Sequence, residues 1–250
     1  MNAAKEHAAR PADFSSDLPS ALPLTLPSTP PSNRPPARQH LQILLASSNP
    51  GKLREYREMT EMHAAGALEL ELFPQFFERP TFPESAPTFA ENAAGKALHY
   101  SRFTELPVMA DDSGLEVAAL GGAPGVHSAR YAGAEASQAQ HNAKLQEELR
   151  RASMIAVGLK NRAVDRSARF VCVIALAARG RVAAVLSDEV TGEIVEEERG
   201  EGGFGYDPLF FFPPLGKTFA EMSAAEKNVY SHRGKAFRKM LEFLASSPML

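Results

Sequence analysis

The sequence has little that could serve covalent cross-linking, export or membrane insertion. Its single cysteine, Cys172, lies in the apolar run RFVCVIALAA, which excludes a disulfide framework or a cysteine-based zinc site and is typical of a reducing compartment. No apolar stretch approaches the roughly 20 residues that a membrane-spanning helix needs, and no signal-peptide pattern opens the chain. We therefore expect a cytoplasmic protein with no membrane partner.

An excess of charge of one sign is also missing. The formal net charge is −3, from 27 basic and 30 acidic residues, so no basic field is available to recruit nucleic acid. The seven histidines include no H-E-x-x-H pair, which argues against a zinc hydrolase. Hydrophobic residues make up 44% of the chain and charged residues 23%, as in an ordinary globular enzyme.

The chain divides by composition into two parts. Residues 1–38 are rich in proline and serine without a hydrophobic period, so they cannot bury enough apolar surface to offset chain entropy. We predict a disordered tail there, with a proline-rich partner motif as the alternative. Residues 39–250 are predicted to form a single enzyme domain.

Strand and helix patterns alternate through this domain. The run LQILLASS predicts a buried strand, followed by a helix capped by Ser48 or Asn49 with Pro50 in its first turn. A capping box of Thr88 and Glu91 predicts a second helix. Two or three strands, with a turn near residues 179–180, and one closing helix from residue 223 complete the pattern. The fold class is therefore α/β with a mixed sheet.

The stretch SSNPGK predicts an anion site where the first strand meets its helix. Free N–H groups and the positive end of the helix dipole favour anions at such a junction. Gly51 would leave room for the ligand and Lys52 would add a full positive charge. The alternative is a plain capped helix. Formal P-loop and dinucleotide matches elsewhere lack a required glycine or the following helix.

Two adjacent acids, Asp111 and Asp112, follow the small apolar residues 107–110, where we expect a strand to end. Successive strand residues point to opposite faces, so one acid should reach a cleft and the other a structural partner. Magnesium prefers one or two carboxylates completed by phosphates and water, and Glu84 could be the second carboxylate. A solvated turn is the alternative for DDSG, and an ordinary loop acid for Glu84.

Three further motifs could complete a nucleotide site. Asn92 and Lys96 are four residues apart on one helix face, although exposed pairs of this kind are common. Phe204, between two glycines in GFGYDP, can present a ring face on which a base stacks. The segment around SHRG offers hydrogen-bond donors near the final helix, with surface charge as the alternative; they are Lys227, His232 and Arg233.

In this order, the motifs resemble the inosine triphosphate pyrophosphatase family. The matching segments include TFAENAAGKA, ADDSGLEVAALGGAPGVHSARYAG and GEGGFGYDPLF, and the likeness runs from Leu41 into the C-terminal helix. The resemblance implies magnesium-dependent hydrolysis of ITP, dITP and XTP to the monophosphate and pyrophosphate, which removes deaminated purines from the nucleotide pool. It also implies a two-lobed fold with the nucleotide in the cleft between the lobes, usually as a homodimer.

The resemblance also implies a role for each matching residue. Asp112 would be the proton acceptor and a metal ligand, with Glu84 near the metal and Asp111 in support. Family members often carry a pair of acids here, whereas this chain has Pro83 before Glu84. The substrate-binding residues would be Ser47, Ser48, Asn49, Pro50, Gly51, Lys52, Lys96, Ser113, Phe204, Gly205, Tyr206, Asp207, Lys227, His232 and Arg233.

Whether the group at C6 of the base accepts or donates a hydrogen bond would explain the substrate preference. Hypoxanthine and xanthine present an oxygen at C6 that accepts from Arg233 or Lys227, whereas the amino group of adenine would leave those donors unpaired. Two alternatives remain: a pyrophosphatase for modified pyrimidine nucleotides, and a non-catalytic nucleotide sensor on the same fold. The base wall disfavours the first, and the retained Asp112 disfavours the second.

Overall fold

A seven-stranded mixed sheet organises the protein, for which a computed structural model describes residues 40–160 and 163–246. The predicted tail, residues 1–38, lies outside the described residues. The strands are β1 (Leu41–Leu45), β2 (Leu68–Leu72), β3 (Val108–Val117), β4 (Ser167–Ala178), β5 (Arg181–Ile194), β6 (Phe210–Phe212) and β7 (Lys217–Thr218). The helices are α1 (Pro50–Ala64), α2 (Phe89–Tyr100), α3 (Gln138–Lys160), α4 (Ala224–Tyr230) and α5 (His232–Ser246).

The strand order in the sheet is β2-β1-β3-β4-β5-β6-β7. β1 pairs in parallel with β2 and β3, and every later pairing is antiparallel. The predicted α/β class with a mixed sheet is therefore confirmed. The parallel strands require crossover helices, and α1 and α2 supply them by linking β1 to β2 and β2 to β3.

Alternation along the central strands divides the first half of the core into two layers. On β4, Cys172, Ile174 and Leu176 pack in the cluster that contains residues of α1 and α5. The intervening residues, such as Val173 and Ala175, pack in the cluster that contains residues of α2. Side chains alternate in the same way along β3. Successive β3 residues therefore pack on opposite faces of the sheet, towards α1 and α5 on one face and towards α2 on the other.

A third cluster fills the other half of the molecule. Leu145 and Leu149 of α3 pack there with the aromatic side chains of Phe170, Phe210 and Phe219. The turn between β4 and β5 falls at residues 179–180, as predicted. The main cleft draws its lining residues from elements of both halves.

The expectation that β3 ends at the two acids is wrong. The strand continues through them to Val117, and Asp111 and Asp112 pair with Ile174 and Val173 of β4. A turn at this point would leave the backbone groups of the acids without ladder partners, whereas β4 satisfies them. The solvated-turn alternative is therefore excluded, because both acids are buried.

The single helix predicted from residue 223 is in fact two. Ser223 caps α4 in a capping box with Glu226, as predicted, but Ser231 adopts an extended conformation and ends the helix. α5 then starts at His232, where Gly234 lies directly against the carbonyl oxygen of Asn228. No side chain fits between them, so the glycine permits the sharp change of direction.

Candidate active site

One cavity of about 640 Å³ collects most of the predicted site residues. Of the residues named from the sequence, five do not line it: Pro50, Gly51, Asn92, Asp111 and Lys227. Those that do are Ser47, Ser48, Asn49, Lys52, Glu84, Lys96, Asp112, Ser113, Phe204, Gly205, Tyr206, Asp207, His232 and Arg233.

The turn between β1 and α1 has the predicted shape. Asn49 is the N-cap residue, since its Oδ1 accepts a hydrogen bond of 3.1 Å from the Lys52 N–H. The Ser47 hydroxyl accepts from the Asn49 N–H at 3.2 Å. These two side chains fix the loop, and Ser47, Ser48, Asn49 and Lys52 line the cavity. The N–H groups of Lys52 and Leu53 are bonded to Asn49, so the Lys52 ammonium and the positive end of the helix dipole are what this turn offers an anion.

Asp111 is the structural member of the acid pair. It is fully buried on the face of β3 that meets α1 and α5, and its Oδ2 lies 2.9 Å from the Lys52 ammonium. Burial alone would raise the pKa of this carboxyl, but Lys52, Arg233 and Lys96 outweigh that effect and lower the pKa. Asp111 therefore stays ionised and holds the Lys52 side chain at the edge of the cleft.

Asp112 faces the opposite side of β3 and lines the cleft. Its Oδ2 accepts from Asn92 of α2 at 2.9 Å, and its Oδ1 accepts from the Ser113 N–H at 2.9 Å. Burial raises its pKa, and the nearby Glu84 carboxylate raises it further against the pull of Lys52. None of the ion pairs within residues 40–160 and 163–246 includes Asp112.

Lys96 joins the acids to the loop before α2. Its ammonium donates to the Asp111 carbonyl oxygen at 2.7 Å and to Glu84 Oε1 at 2.5 Å. Both Lys96 and Asn92 are buried, so the alternative of an exposed pair on α2 is excluded. The face of α2 that carries Asn92 and Lys96 packs against β3, where it contacts Asp112 and the backbone of Asp111.

The donors at this wall suit a magnesium ion. No group of three or more histidine, cysteine or acidic side chains within the described residues could hold a metal by itself. Asp112 and Glu84 nevertheless supply two carboxylates, the number that Mg²⁺ usually takes from a protein when phosphates and water complete its shell. The raised pKa of Asp112 fits this role as well, because a bound cation would offset the cost of the buried charge.

Phe204 forms the opposite wall with the residues that follow it. Its N–H donates to Asp207 Oδ2 at 2.6 Å, and the Arg233 guanidinium carbon lies 5.3 Å from the ring centroid. A Cβ atom on Gly51 would lie only 2.7 Å from the ring. Gly51 therefore leaves room for Phe204 rather than for a phosphate, which corrects the prediction for this glycine.

Sequence reasoning missed Glu55, the acid that holds Lys227 and Arg233 behind Phe204. This buried side chain on α1 accepts from Lys227 at 2.6 Å and from Arg233 at 2.5 Å. Burial alone would raise the pKa of the Glu55 carboxyl, but the two cations outweigh it and lower the pKa. The available signal was its helical spacing, because Glu55 falls in the buried stripe of α1 with Gly51 and Met59.

Lys227 lies behind the wall rather than in the main cleft. Its ammonium is held between Glu55 at 2.6 Å and Asp207 at 2.5 Å, and it lines a second cavity of about 190 Å³. Burial would lower the pKa of Lys227, but the two acids outweigh it and raise the pKa. The predicted contact with a base edge is therefore not available to Lys227 in this structure.

His232 and Arg233 begin α5 and reach the cleft together. Arg233 donates to the Ser113 hydroxyl at 2.9 Å and, through Glu55, is tied to α1. The His232 ring stacks on Phe170 with centroids 4.7 Å apart. Burial, with Arg233 and Lys227 nearby, lowers the pKa of His232 well below its usual value, so the imidazole is neutral at pH 7.

Other residues that line the cleft were also missed. Among them are Ser128, whose carbonyl oxygen accepts a hydrogen bond of 2.9 Å from the hydroxyl of the predicted Tyr206, and His141 of α3, whose ring centroid lies 6.5 Å from that of Tyr206. Beyond Glu84 the cavity continues to an aromatic end that the run FFERPTF could have signalled. Its lining residues are Phe76, Phe77, Thr81, Phe82 and Tyr100.

Within the described residues, no helix is long and apolar enough to cross a membrane. The model of the Ham1 family matches residues 43–243. A dITP/XTP pyrophosphatase of Geobacillus kaustophilus is 46% identical over 80% of this chain and 93% of its own length. One from Thermus thermophilus is 47% identical over 83% and 94%. The solved structure of a HAM1 protein from Coxiella burnetii matches with a TM-score of 0.72 and 41% identity, covering 83% of this chain and all of that one.

Proposed function

Because the chain belongs to the Ham1 family, we propose that it hydrolyses noncanonical purine nucleoside triphosphates (ITP, dITP and XTP) to the monophosphate and pyrophosphate. The names of the relatives from Geobacillus and Thermus support this reaction. The cleft described above supports it independently, since it combines an anion site, a buried acid and an aromatic wall.

The observation that carries the proposal is the division of labour between the two adjacent acids. Asp111 is ionised and bound to Lys52, whereas Asp112 has a raised pKa and faces the cleft. A carboxylate that is costly to ionise is well suited to accept a proton. A pure binding module would gain nothing from burying such a group beside an anion site.

In the proposed reaction, water attacks the α-phosphorus and pyrophosphate leaves. Asp112 orients the water and accepts its proton, while Asn92 and the Ser113 N–H fix the carboxylate. Lys52 and Lys96, which pair with Asp111 and Glu84 in this structure, also bind the phosphates in the proposed complex. Magnesium held by Asp112 and Glu84 would neutralise charge on the phosphates and on the leaving pyrophosphate.

The base would stack on Phe204 and meet fixed donors. Arg233 is always charged, and its carboxylate partner Glu55 holds it at the start of α5. A 6-oxo purine accepts from such a donor, whereas the 6-amino group of adenine would leave it unpaired, which can discriminate by about 10⁴-fold. Gly205, Tyr206 and Asp207 would complete the wall around the base.

The finer parts of the proposal are magnesium dependence, a homodimeric assembly and a cytoplasmic location. The carboxylate pair supports the first, and the family resemblance of the sequence supports the second. The single buried cysteine, which fits a reducing compartment, supports the third. Sedimentation of the purified protein would test the dimer directly.

Pyrophosphate release tests the function. The purified protein is assayed with magnesium on ITP, XTP, dITP, GTP, ATP and dUTP in parallel, and again with the metal chelated. We expect fast release from the first three and little from ATP or GTP, with no release after chelation. Release chiefly from dUTP would overturn the base assignment. Binding without release from any nucleotide would identify a sensor instead.

A further inference from the structure

The cleft extends beyond the residues that a nucleoside triphosphate would occupy. Past Glu84 and Lys96 it continues to the aromatic end, which the loop between β2 and α2 and the last turn of α2 provide. None of the steps proposed above uses these side chains. An aromatic surface in the same cavity as an anion site is a candidate subsite for a second planar group.

The rings of the aromatic end pack against one another or against α2. Phe76 stacks on Tyr100 with centroids 4.8 Å apart, and Phe77 stands edge-on to Phe76 at 5.5 Å. Phe82 lies against Gly95, where an added Cβ would come within 2.5 Å of the ring. Phe77 itself is 76% exposed. Phe76, packed on Tyr100, supports the exposed ring of Phe77, which can stack on a planar ligand.

Contacts along the cleft place the anion site between the aromatic end and Phe204. At the aromatic end, Phe82 packs on Gly95 of α2, next to Lys96. Lys96 donates to the Asp111 carbonyl oxygen, and the Asp111 carboxylate pairs with Lys52. Gly51, next to Lys52 on α1, lies against Phe204. Lys52 and Lys96 come from α1 and α2, between these two regions. A chain of phosphates that starts at Phe204 therefore leads towards the aromatic end.

We propose that the aromatic end binds the second base of a dinucleoside polyphosphate, so that the enzyme also cleaves such molecules when one base is a 6-oxo purine. This inference rests on the proposed function. Water attacks the α-phosphorus next to the purine nucleoside, and Asp112 accepts the proton. The bond from that phosphorus to its bridging oxygen breaks. The remaining phosphates leave with the second nucleoside in place of pyrophosphate.

The test uses a substrate in which four phosphates join inosine to adenosine. Cleavage at the inosine side gives IMP and ATP, and a luciferase assay detects the ATP. We expect the wild-type protein with magnesium to release ATP. Phe77→Ala should lower kcat/KM for this substrate by roughly fivefold to a hundredfold, the value of one base stack. Its kcat/KM for ITP should stay within about twofold, because ITP has no second base.

Phe103→Ala is the matched control. Phe103 is another exposed phenylalanine, close to His99 of α2, but it does not line the cavity. Neither activity should change in this variant. The inference is overturned if the wild type hydrolyses ITP but releases no ATP, or if Phe77→Ala leaves the ratio of the two activities unchanged. Failure to hydrolyse ITP as well would refute the proposed function, and this inference with it.

Discussion

The two ends of the main cleft both contain buried acids, but the charges of these acids are neutralised differently. At the end proposed to bind the base (the base end), Glu55 and Asp207 are paired with Lys227 and Arg233 before any ligand arrives. At the end proposed to bind phosphates (the phosphate end), Asp111 is paired with Lys52, but Asp112 has no ion-pair partner among residues 40–160 and 163–246.

This difference separates recognition from chemistry. Buried charges that are fully paired are held in place, so Arg233, the donor that would meet the base, needs little reorganisation on binding. A buried acid without a cation is costly, and this cost is offset only when a metal ion or a proton arrives. The first arrangement suits a site that selects, and the second suits a site that reacts.

The largest effect is expected from neutralising the unpaired acid. Asp112→Asn keeps the shape of the side chain but cannot accept the proton, so kcat should fall by about 10²–10⁴-fold while nucleotide binding is retained. Steady-state kinetics and titration with ITP would measure both. Asp188→Asn, which removes a surface acid bound to Lys239, should leave kcat unchanged. Substantial turnover by Asp112→Asn would contradict its role.

Removing the shared anchor of the base end should cost stability rather than chemistry. Glu55→Gln leaves Lys227 and Arg233 buried with one partner fewer each, so the free energy of unfolding should fall by about 3–5 kcal/mol. Denaturant melts would measure the change. Glu61→Gln, an exposed position on the same helix, is the control, and equal stability of the two variants would show that the base end is not preassembled.

Removing the stacking ring should weaken binding to a smaller extent. Phe204→Ala should reduce the affinity for ITP by about 1–3 kcal/mol, measured by calorimetry with magnesium omitted to prevent turnover. Tyr131→Phe changes an aromatic residue outside the cleft lining and should bind as the wild type does. An unchanged affinity in Phe204→Ala would remove this ring from the base site.

The smallest effect concerns the pH dependence of stability. The lowered pKa of His232 means that below about pH 6.5 the unfolded chain binds a proton that the folded one does not, so stability falls as the pH falls. At pH 5.5, one unit below that value, the free energy of unfolding is lower by about 1.4 kcal/mol. His232→Phe, which keeps the ring on Phe170, should abolish that part of the slope between pH 7 and 5.5. An unaltered slope would show that His232 is charged in the fold.

Local signals carried the sequence predictions that the structure confirms. Asn49 and Pro50 define the start of α1 by their own chemistry. The separation of Asp111 from Asp112 follows from strand alternation alone, and the structure directs them to Lys52 and to Asn92. Both predictions needed only residues close together in the chain.

Features that depend on distant partners escaped prediction. The extension of β3 through the acids needs β4 for its backbone and buried cations for its charge. Glu55 reads as one more surface acid until Lys227 and Arg233 fold onto it from more than a hundred residues away. The roles of the site residues in catalysis stay predictions.

The contact between Gly51 and Phe204 fixes the spacing between the two ends of the cleft. The first turn of α1, proposed to bind the phosphates, touches the ring on which the base would stack, so neither can shift alone. In the proposed complex, the distance from base to α-phosphate would therefore be set by van der Waals contact rather than by charges. Changes at these two positions should therefore be non-additive. A larger residue at 51 becomes tolerable only where a smaller one replaces the ring, at the expense of the stack.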